Sequence, residues 1–334
     1  MGAVLVTGGA GYVGSHAVRE LLNRGERVVV LDNLSEGHRE AVVGAELVVA
    51  DLTDAADARE KLDSVFQSEQ VDVVLHFAGR AYVGESVREP GMYYRHNLSG
   101  GLVLLDAVAR NHVPAVVFSS TCAIYGEPEA VPIRESHPQR PMSPYGRTKR
   151  AFEEALADFE IAHGIRHVNL RYFNAAGAHP DGDLGEDHRP ETHLIPLVCE
   201  TAMELRPAVS IFGNDYETPD GTCIRDFVHV VDLATAHIQA VESLRGGAGS
   251  GSYNLGIGQG YSVLEVVESV KRVSGSDVAT ELAPRRPGDP PRLVADSQKA
   301  QDDLNWKPAF TSLDSIVETA WRFKQNHPRG YEEA

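Results

Sequence analysis

A tyrosine and a lysine four residues apart are the strongest candidates for chemistry in this sequence. Tyr145 and Lys149 follow Pro144, a residue that suits the first turn of a helix. Their i, i+4 spacing places both side chains on one helix face. A free phenol has a pKa of about 10, and a nearby cation lowers the pKa of an acid by roughly 1–3 units. We therefore predict that Lys149 activates Tyr145 to remove a hydroxyl proton while hydride leaves the same carbon.

A threonine is the third candidate for the reacting centre. Thr121 follows the predicted strand Ala115–Phe118. Because the carboxyl ends of strands face the ligand in parallel α/β sheets, we expect its hydroxyl to bond the reacting oxygen and relay its proton. Ser119 and Ser120 lie nearer the strand and are predicted to be structural.

A glycine-rich turn provides the candidate cofactor site. Gly8, Gly11 and Gly14 form a GxxGxxG pattern between the first predicted strand and the first predicted helix. Such a turn presents backbone N–H groups and a helix N-terminus to a pyrophosphate.

Two acidic residues follow the next strands. Asp32 ends the second strand, where a carboxylate accepts the adenine ribose hydroxyls and repels a 2′-phosphate, so NAD is favoured over NADP. Asp32 as a simple turn residue is the weaker alternative. Asp51 follows the third strand, and the sequence leaves it open as a partner of the adenine amino group or as a helix cap.

Short apolar runs alternate with helical patterns in the first half of the chain. Strands without polar alternation, separated by helices, indicate a parallel sheet covered on both faces. We therefore predict an α/β fold with a Rossmann-type doubly wound sheet. The predicted strands are 4–6, 28–31, 47–49, 71–75, 115–118 and 167–170, and the helices lie around 12–24, 55–68, 90–111 and 144–163.

The second half is less regular and richer in glycine and proline, which predicts a smaller α/β substrate-binding domain. We place the NAD-binding domain at 1–173 and the mainly substrate-binding domain at 174–334. The strand Asp226–Val230, a helix started by Asp232 and the strand Ser252–Leu255 are predicted to return to the main sheet.

Composition excludes several classes of partner. A formal net charge of −17 argues against nucleic acid. Three separated cysteines fit no disulfide framework, and the fourteen histidines show no HExxH or similar pairing, so we expect no metal. Without an 18-residue apolar run or a basic leader pattern, we expect no membrane span, no signal peptide and a cytoplasmic location.

The glycine turn, the hydroxyl after the fifth strand and the YxxxK pair together resemble the extended short-chain dehydrogenase/reductase superfamily. More closely, the chain resembles the UDP-glucose 4-epimerase (UDP-galactose 4-epimerase) family along nearly its whole length. Further matching segments are 6–16, 31–34, 76–79, 83–86, 143–149, 170–174, 213–216, 220–222, 225–230, 253–256, 283–289 and 305–306.

The resemblance implies a mechanism. Bound NAD+ would take hydride from C4 of a UDP-hexose while Tyr145, assisted by Thr121, takes the O4 proton. The 4-keto sugar would then turn and receive the hydride on its opposite face, so NAD stays bound and the net reaction is an isomerisation. The resemblance also implies a homodimer packed through two helices of the NAD domain.

Binding residues are carried over from the same resemblance. The cofactor set is Gly8, Gly11, Tyr12, Val13, Gly14, Asp32, Asn33, Asp51, Leu52, Phe77, Ala78, Gly79, Asn97, Tyr145, Lys149 and Tyr172. The UDP-sugar set is Thr121, Tyr145, Asn174, His193, Leu194, Phe212, Arg225, Arg286, Asp289 and Leu293. Arg225 and Arg286 are expected to neutralise the pyrophosphate of the substrate, although the protein as a whole carries a net negative charge.

Four positions depart from the family pattern. One of them, Phe227, replaces a tyrosine, and no loss of chemistry is expected from it. Ala81 stands where a lysine often contacts the cofactor, which leaves neighbouring Arg80 as a substitute. His193 replaces an asparagine near the substrate phosphate and is expected to donate one hydrogen bond. Leu293 occupies a sugar-pocket position whose size tends to govern the acceptance of N-acetylated sugars, so that specificity is left open.

Four other functions were weighed. A 4,6-dehydratase needs an acid–base pair directly after Thr121, where this chain has Cys122 and Ala123. Epimerases of UDP-pentoses or UDP-hexuronic acids share most of these residues and are the nearest alternative. A regulator that binds NAD without catalysis is disfavoured by the intact Tyr145, Lys149 and Thr121, and a net dehydrogenase exchanging free NADH is the remaining option.

Overall fold

The computed structural model describes residues 2–286 and 289–331 of the chain. Within these ranges the strands are β1 (Ala3–Thr7), β2 (Val28–Asp32), β3 (Glu46–Val49), β4 (Val71–His76), β5 (Ala115–Thr121), β6 (Arg166–Tyr172), β7 (Asn174–Ala176), β8 (Val209–Phe212), β9 (Ile224–His229), β10 (Gly251–Leu255), β11 (Gly260–Ser262), β12 (Thr280–Ala283) and β13 (Arg292–Leu293). The matching segment 283–289 contains Pro287 and Gly288, which lie outside the described residues.

The helices connect these strands and cover the sheets. They are α1 (Tyr12–Asn23), α2 (Ala55–Glu69), α3 (Val83–Arg88), α4 (Pro90–Tyr93), α5 (Gly101–Arg110), α6 (Pro144–His163), α7 (Leu194–Ala202), α8 (Val230–Arg245), α9 (Val263–Ser274), α10 (Gln298–Leu304) and α11 (Leu313–Asn326). A π-helical segment, Tyr94–Gly100, joins α4 to α5. Of the helices in the described ranges, none combines the length and the apolar composition that a membrane crossing requires.

Seven parallel strands form the large sheet, in the order β10–β6–β5–β4–β1–β2–β3. Every residue of β1, β2 and β5 is buried, which explains why these runs lack polar alternation. In register, Val6 of β1 lies opposite Val30 of β2 and Leu75 of β4. The predicted Rossmann-type α/β fold is confirmed, and each of the six predicted strands is present.

Helices cover both faces of the large sheet. On one face α1 and α8 pack together, and the core there includes Val4, Leu21 and Ala234. On the other face α2, α5 and α6 enclose a second core that includes Leu5 and Phe152. Val4 and Leu5 point to opposite faces because successive side chains of a strand alternate.

The rest of the chain builds two smaller sheets and a third core. Strand β9 pairs with β11, β13 and β7, while β8 pairs with β12. Helices α7, α9 and α11 pack around this third core, which includes Val198, Val266 and Ile316. The smaller sheets lie beside the carboxyl ends of the large-sheet strands, because β7 begins two residues after β6 ends.

The return of the chain to the large sheet is only partly as predicted. Strand β10 joins the edge of the sheet beside β6, with Tyr253 opposite Leu170, which confirms that part of the prediction. The prediction for Asp226–Val230 is wrong, because β9 belongs to the smaller four-stranded sheet. An apolar run identifies a buried strand but does not identify the strands with which it pairs. In this protein helix α8, which follows β9, returns the chain to the large sheet.

Helix α8 also begins earlier than predicted. It starts at Val230, where the imidazole of His229 accepts a hydrogen bond from the backbone N–H of Val231. Asp232 therefore lies in the first turn instead of starting the helix. Its carboxylate accepts hydrogen bonds from the backbone N–H groups of Ala309 and Phe310, which ties the helix to the segment before α11.

Candidate active site

A cleft of about 1340 Å³ opens where the central strands end. Asp32, Thr121 and Tyr172 end β2, β5 and β6, and each of them lines it. Residues of the smaller sheets, such as Phe212 and Arg225, line its other side. Every residue of the predicted cofactor and substrate sets lines this cleft except Asn97. The cleft lies where the doubly wound fold places its ligands.

The glycine turn is shaped by close backbone packing. Gly8 has a positive φ of +73°, which a side chain would strain. A Cβ on Gly14 would lie 2.2 Å from the carbonyl oxygen of Gly8, so the first turn of α1 approaches the loop only because that side chain is missing. No side chain caps α1 at Gly11. Its first N–H groups therefore suit an anionic ligand such as a pyrophosphate.

Asp32 stabilises the same turn. Its two carboxylate oxygens accept hydrogen bonds from the backbone N–H of Ala10 at 2.9 Å and of Leu34 at 2.8 Å. Burial raises the pKa of this carboxyl, while the backbone N–H groups lower it. The sequence did not predict the bond to Ala10, which joins the candidate ribose contact to the candidate phosphate site.

Asp51 has a different role from the helix cap that the sequence left open. Its carboxylate accepts hydrogen bonds from the backbone N–H of Thr53 at 2.8 Å and from the side-chain amide of Asn33 at 2.9 Å. Helix α2 is capped instead by Asp54, which accepts from the N–H of Asp57. The helix-cap alternative for Asp51 is therefore wrong, and the contact with an adenine amino group stays a prediction.

The candidate catalytic pair lies at the start of α6. The Ser143 hydroxyl accepts a hydrogen bond from the N–H of Gly146 and so caps this helix. Tyr145 and Lys149 are 9% and 5% exposed. The Lys149 ammonium donates to the carbonyl oxygen of Ser119 at 2.8 Å. The pair is thus buried on one helix face against the end of β5.

Burial reverses the expected pKa of the tyrosine. Loss of water raises the pKa of Tyr145 to about 12, and a hydrogen bond with Thr121 only partly opposes this. The Lys149 ammonium lies 6.0 Å from the centre of the phenol ring and is directed to Ser119. Burial lowers the pKa of Lys149 to about 8, partly offset by the charge of Glu153. Lys149 is not among the causes that shift the pKa of Tyr145 in the protein alone, and its activation of Tyr145 beside a bound nicotinamide cation stays a prediction.

A buried ion pair between Arg171 and Glu153, not predicted from the sequence, lies behind the candidate catalytic residues. Glu153 lies one turn after Lys149 and accepts hydrogen bonds from the Ser120 hydroxyl at 2.5 Å and from Arg171 at 2.5 Å and 3.0 Å. Arg171 also donates to the hydroxyl of Tyr125 at 3.0 Å. The i, i+4 spacing of Lys149 and Glu153 was the available signal. This network holds the face of α6 that carries the catalytic pair.

The opposite wall contains the candidate substrate residues. Helix α7 begins at Leu194 without a side-chain cap, so its N–H groups suit a phosphate. The guanidinium of Arg286 stacks 3.9 Å over the ring of Phe212. Arg225 forms an ion pair with Asp289 at 2.8 Å, so part of its charge is already neutralised. Within residues 2–286 and 289–331, Arg286 forms no salt bridge, which leaves it the more available cation.

His193 directly precedes α7 and lies between two carboxylates that were not predicted from the sequence. Its Nδ1 atom lies 2.6 Å from Oε1 of Glu186 and 3.4 Å from Oε1 of Glu191. Burial opposes a charged imidazole, but the two carboxylates raise the pKa of His193 to about 10. Both glutamates and His188 line the cleft beside it, and none of the three was predicted from the sequence.

Asn97 lies behind the cleft wall. Its side chain accepts from the backbone N–H of Arg80 at 2.7 Å and donates to the carbonyl oxygen of the same residue at 3.0 Å. Direct contact with a cofactor stays a prediction for Asn97. The Arg80 guanidinium pairs with Glu36 at 2.7 Å, so its use in place of a lysine at Ala81 also stays a prediction.

Comparison with known proteins places this geometry among sugar-nucleotide enzymes. A model of the NAD dependent epimerase/dehydratase family matches residues 4–256. The UDP-glucose 4-epimerase of Halalkalibacterium halodurans is 50% identical over 329 residues, covering 98% of this chain and 97% of its own. The structure of UDP-glucose 4-epimerase from Brucella ovis in complex with NAD has a TM-score of 0.93 at 47% identity, covering 97% of this chain and 98% of its own. The enzyme from Bifidobacterium longum in complex with NAD+ and UDP has a TM-score of 0.92 at 37% identity, covering 98% and 100%.

Proposed function

The chain belongs to the NAD dependent epimerase/dehydratase family, and we propose that it is an isomerase that interconverts UDP-glucose and UDP-galactose by epimerisation at C4. NAD is its cofactor, as in the complexes of its relatives. The observation that carries this proposal is the convergence of the glycine turn, the Tyr145–Lys149 pair and the uncapped start of α7 on one cleft.

The first wall of the cleft fits NAD. The backbone contact between Gly8 and Gly14 forms a cradle that a side chain would fill, and the free N–H groups of α1 suit the pyrophosphate. Asp32 would accept the ribose hydroxyls, and its charge would repel a 2′-phosphate. When bound there, NAD+ supplies a reversible hydride acceptor.

Tyr145 is the proposed acid and base. It would accept the O4 proton as C4 of the hexose is oxidised, and would return a proton to O4 when hydride comes back on the opposite face. Thr121, whose hydroxyl acts to lower the pKa of Tyr145, would hold the reacting oxygen. Because burial disfavours the phenolate, the positive charge of Lys149 and of a nicotinamide cation must stabilise it during the proton transfer.

The second wall is proposed to hold UDP. The N–H groups at Leu194, the guanidinium of Arg286 and the paired Arg225 offer positive charge to a pyrophosphate in a protein of net charge −17. A firm hold on UDP leaves the sugar free to turn between the two hydride transfers.

Three further points are proposed on the resemblance to the family. Residues 1–173 would form the NAD-binding domain and 174–334 would mainly bind the UDP-sugar, with α8 and β10 packed back on the first domain. The protein would form a homodimer and would act in the cytoplasm. Light scattering of the purified protein at several concentrations tests the dimer.

A substrate panel tests the proposed function. Purified protein would be incubated without added NAD with UDP-galactose, UDP-N-acetylgalactosamine, UDP-xylose and UDP-glucuronate. We expect UDP-galactose to give UDP-glucose at the highest kcat/KM. A clear preference for UDP-xylose or UDP-glucuronate would contradict the proposal and favour the pentose or hexuronate alternative.

Retention of the cofactor separates the proposal from a net dehydrogenase. We expect protein dialysed extensively against buffer to keep stoichiometric NAD and full activity. Activity that requires continuous supply of NAD, with NADH released in proportion to turnover, would contradict an isomerase.

A further inference from the structure

Two glutamates and two histidines converge in the segment that precedes α7. Glu186, His188, Glu191 and His193 follow the spacing ExHxxExH, and each offers one ligand atom within 4.8 Å of all the others. The four side chains line the edge of the cleft. No step of the proposed epimerisation uses this group of four as a unit.

The converging atoms are buried, but their hydrogen bonding is incomplete. The side chains of Glu186 and Glu191 are only 6% and 5% exposed. Among the described residues, the Nδ1 atoms of His188 and His193 and Oε2 of Glu191 are buried and have no hydrogen-bond partner of ordinary geometry. The two Nδ1 atoms nevertheless lie at ion-pair distances from the carboxylate of Glu186, at 3.2 Å and 2.6 Å. Buried polar atoms that converge in this way leave a position for a cation.

The separations between these atoms bracket the ligand separation of a tetrahedral metal site, and an ion would have to widen the 2.6 Å contact of His193 with Glu186. His188 Nδ1 lies 3.2 Å from Glu186 Oε1 and 3.9 Å from Glu191 Oε2. His193 Nδ1 lies 2.6 Å from Glu186 Oε1 and 3.4 Å from Glu191 Oε1. Zinc bonds of roughly 2.0–2.2 Å to histidine nitrogen and carboxylate oxygen require ligand separations of about 3.4 Å.

We propose that Glu186, His188, Glu191 and His193 bind one divalent transition-metal ion, with zinc favoured by the two nitrogen and two oxygen ligands. Four protein ligands close the coordination sphere, so the site is structural and leaves no position for substrate. The expectation of no metal was based on the absence of HExxH, a spacing that brings two histidines together on a helix. The ligands proposed here lie on a loop and at the start of α7, so they do not follow that spacing.

The position of the site suggests what the ion would stabilise. The ring of His188 packs edge-on against Tyr12 and Tyr82, with centroids 6.3 Å and 5.7 Å away. His193 is followed directly by Leu194, the first residue of α7. An ion at this position would therefore hold the start of α7, a candidate phosphate site, against residues near the glycine turn.

Metal titration of the full-length protein tests the proposal. Chelator-treated protein would be titrated calorimetrically with zinc chloride. We expect one zinc ion to bind per chain. His188→Gln and Glu191→Gln should each weaken zinc binding by at least about 100-fold. The loss of a group that only supports a metal ligand already weakens binding by about 10- to 100-fold, and these two residues are the ligands themselves.

A nearby histidine provides the matched control. His179 belongs to a more exposed cluster with Asp181 and Asp183, and His179→Gln should leave zinc affinity within twofold of the unchanged protein. Equal loss in His179→Gln, unchanged affinity in both ligand variants, or the absence of stoichiometric binding would overturn the proposal. The cobalt(II) spectrum of the unmutated protein is independent of variant folding. Intense tetrahedral bands support the site, and a weak octahedral spectrum contradicts it.

Discussion

Burial controls the acid–base behaviour of the residues at the centre of the cleft. Tyr145 and Lys149 are both shielded from water, and burial shifts the pKa of the phenol up to about 12 and that of the ammonium down to about 8. Each shift disfavours the charged form of its group. The protein alone therefore keeps Tyr145 protonated, and the phenolate becomes accessible only when further positive charge is placed beside it.

Removal of the phenol hydroxyl tests the role of Tyr145. Tyr145→Phe keeps the buried ring but has no proton to exchange, so we expect turnover to fall by about 10²–10⁴-fold, as for lost acid–base catalysis. Epimerisation rates with saturating UDP-galactose, together with the amount of bound NAD, measure this. Near-normal turnover in a variant that still holds NAD would remove Tyr145 from the mechanism.

Neutralising the acid after β2 tests cofactor choice. Asp32→Asn keeps an oxygen for the N–H of Ala10 but loses the negative charge. Because hydrogen bonds to charged groups contribute about 1.5–3 kcal/mol, we expect NAD to bind roughly 10- to 100-fold more weakly. Discrimination against NADP should also relax. Titration of NAD-depleted protein with both cofactors measures the ratio, and an unchanged preference would rule out the ribose assignment.

The sequence identified the types of the central residues, but not their environments. Tyr145, Lys149 and Thr121 were found from spacing and position, and the structure brings them together. The direction of the Tyr145 pKa was missed, because desolvation depends on the three-dimensional surroundings. Asp51 and Asp54 are both acids before a helix, and only the backbone geometry shows which one is the cap.

At the scale of elements, the contact between the glycine turn and α1 determines the shape of the cofactor wall. A Cβ on Gly14 would meet the backbone of Gly8 at 2.2 Å, whereas a Cβ on Gly11 would meet it at 3.4 Å, an ordinary contact. Gly11 also has an unstrained φ of −81°. Gly14 therefore permits the close packing of α1 against the turn, whereas Gly11 leaves room for a ligand.

Alanine at each of these glycines should separate the two effects. Gly14→Ala should lower the free energy of unfolding of NAD-depleted protein by about 1–3 kcal/mol, as for overpacked positions. Gly11→Ala should leave that free energy nearly unchanged while weakening NAD, because the added methyl group faces the ligand. Urea denaturation and NAD titration of both variants measure this, and equal stability losses would contradict the assignment.

Elements of the first half were predictable because their apolar runs are short and buried on both sides. The partners of β9 were not, since its pattern of burial is satisfied equally by the large sheet and by the smaller one. Strand pairing between distant segments is decided by the packing of whole layers. The loop that carries Glu186 and His188 gave no periodic signal, so its cluster was found only in three dimensions.

At the scale of the whole molecule, buried histidines should make the protein sensitive to acid. Burial lowers the pKa of His16 and His237 to about 4 and that of His76 and His229 to about 3. The unfolded chain binds more protons than the folded protein from pH 6.5 down to these values. Stability is therefore lost as pH falls through this window, by about 1.4 kcal/mol per pH unit for each histidine.

Denaturation at two pH values tests this acid sensitivity. The free energy of unfolding should fall between pH 7 and pH 5, although buried acids oppose the loss, as for Asp226 with a pKa raised to about 6. His237→Leu removes one buried imidazole, so we expect it to reduce the loss by about 2 kcal/mol. An identical loss in this variant would show that His237 does not titrate as described.

The molecule as a whole combines an acidic surface with a cleft that suits two nucleotides. Its net charge of −17 led to the expectation that nucleic acid is not a partner and that local cations bind a pyrophosphate. Because Arg225 forms an ion pair with Asp289, the positive charge available to a pyrophosphate lies mainly at Arg286 and at the start of α7.

The central claim is that hydride leaves C4 of the sugar and returns to the same carbon. The most direct test is to convert UDP-galactose that carries deuterium at C4 into UDP-glucose, without added NAD, and to measure the position of the label by NMR and mass spectrometry. We predict that the product keeps its deuterium at C4 over many turnovers. Loss of the label to water, or its appearance in released NADH, would contradict the claim.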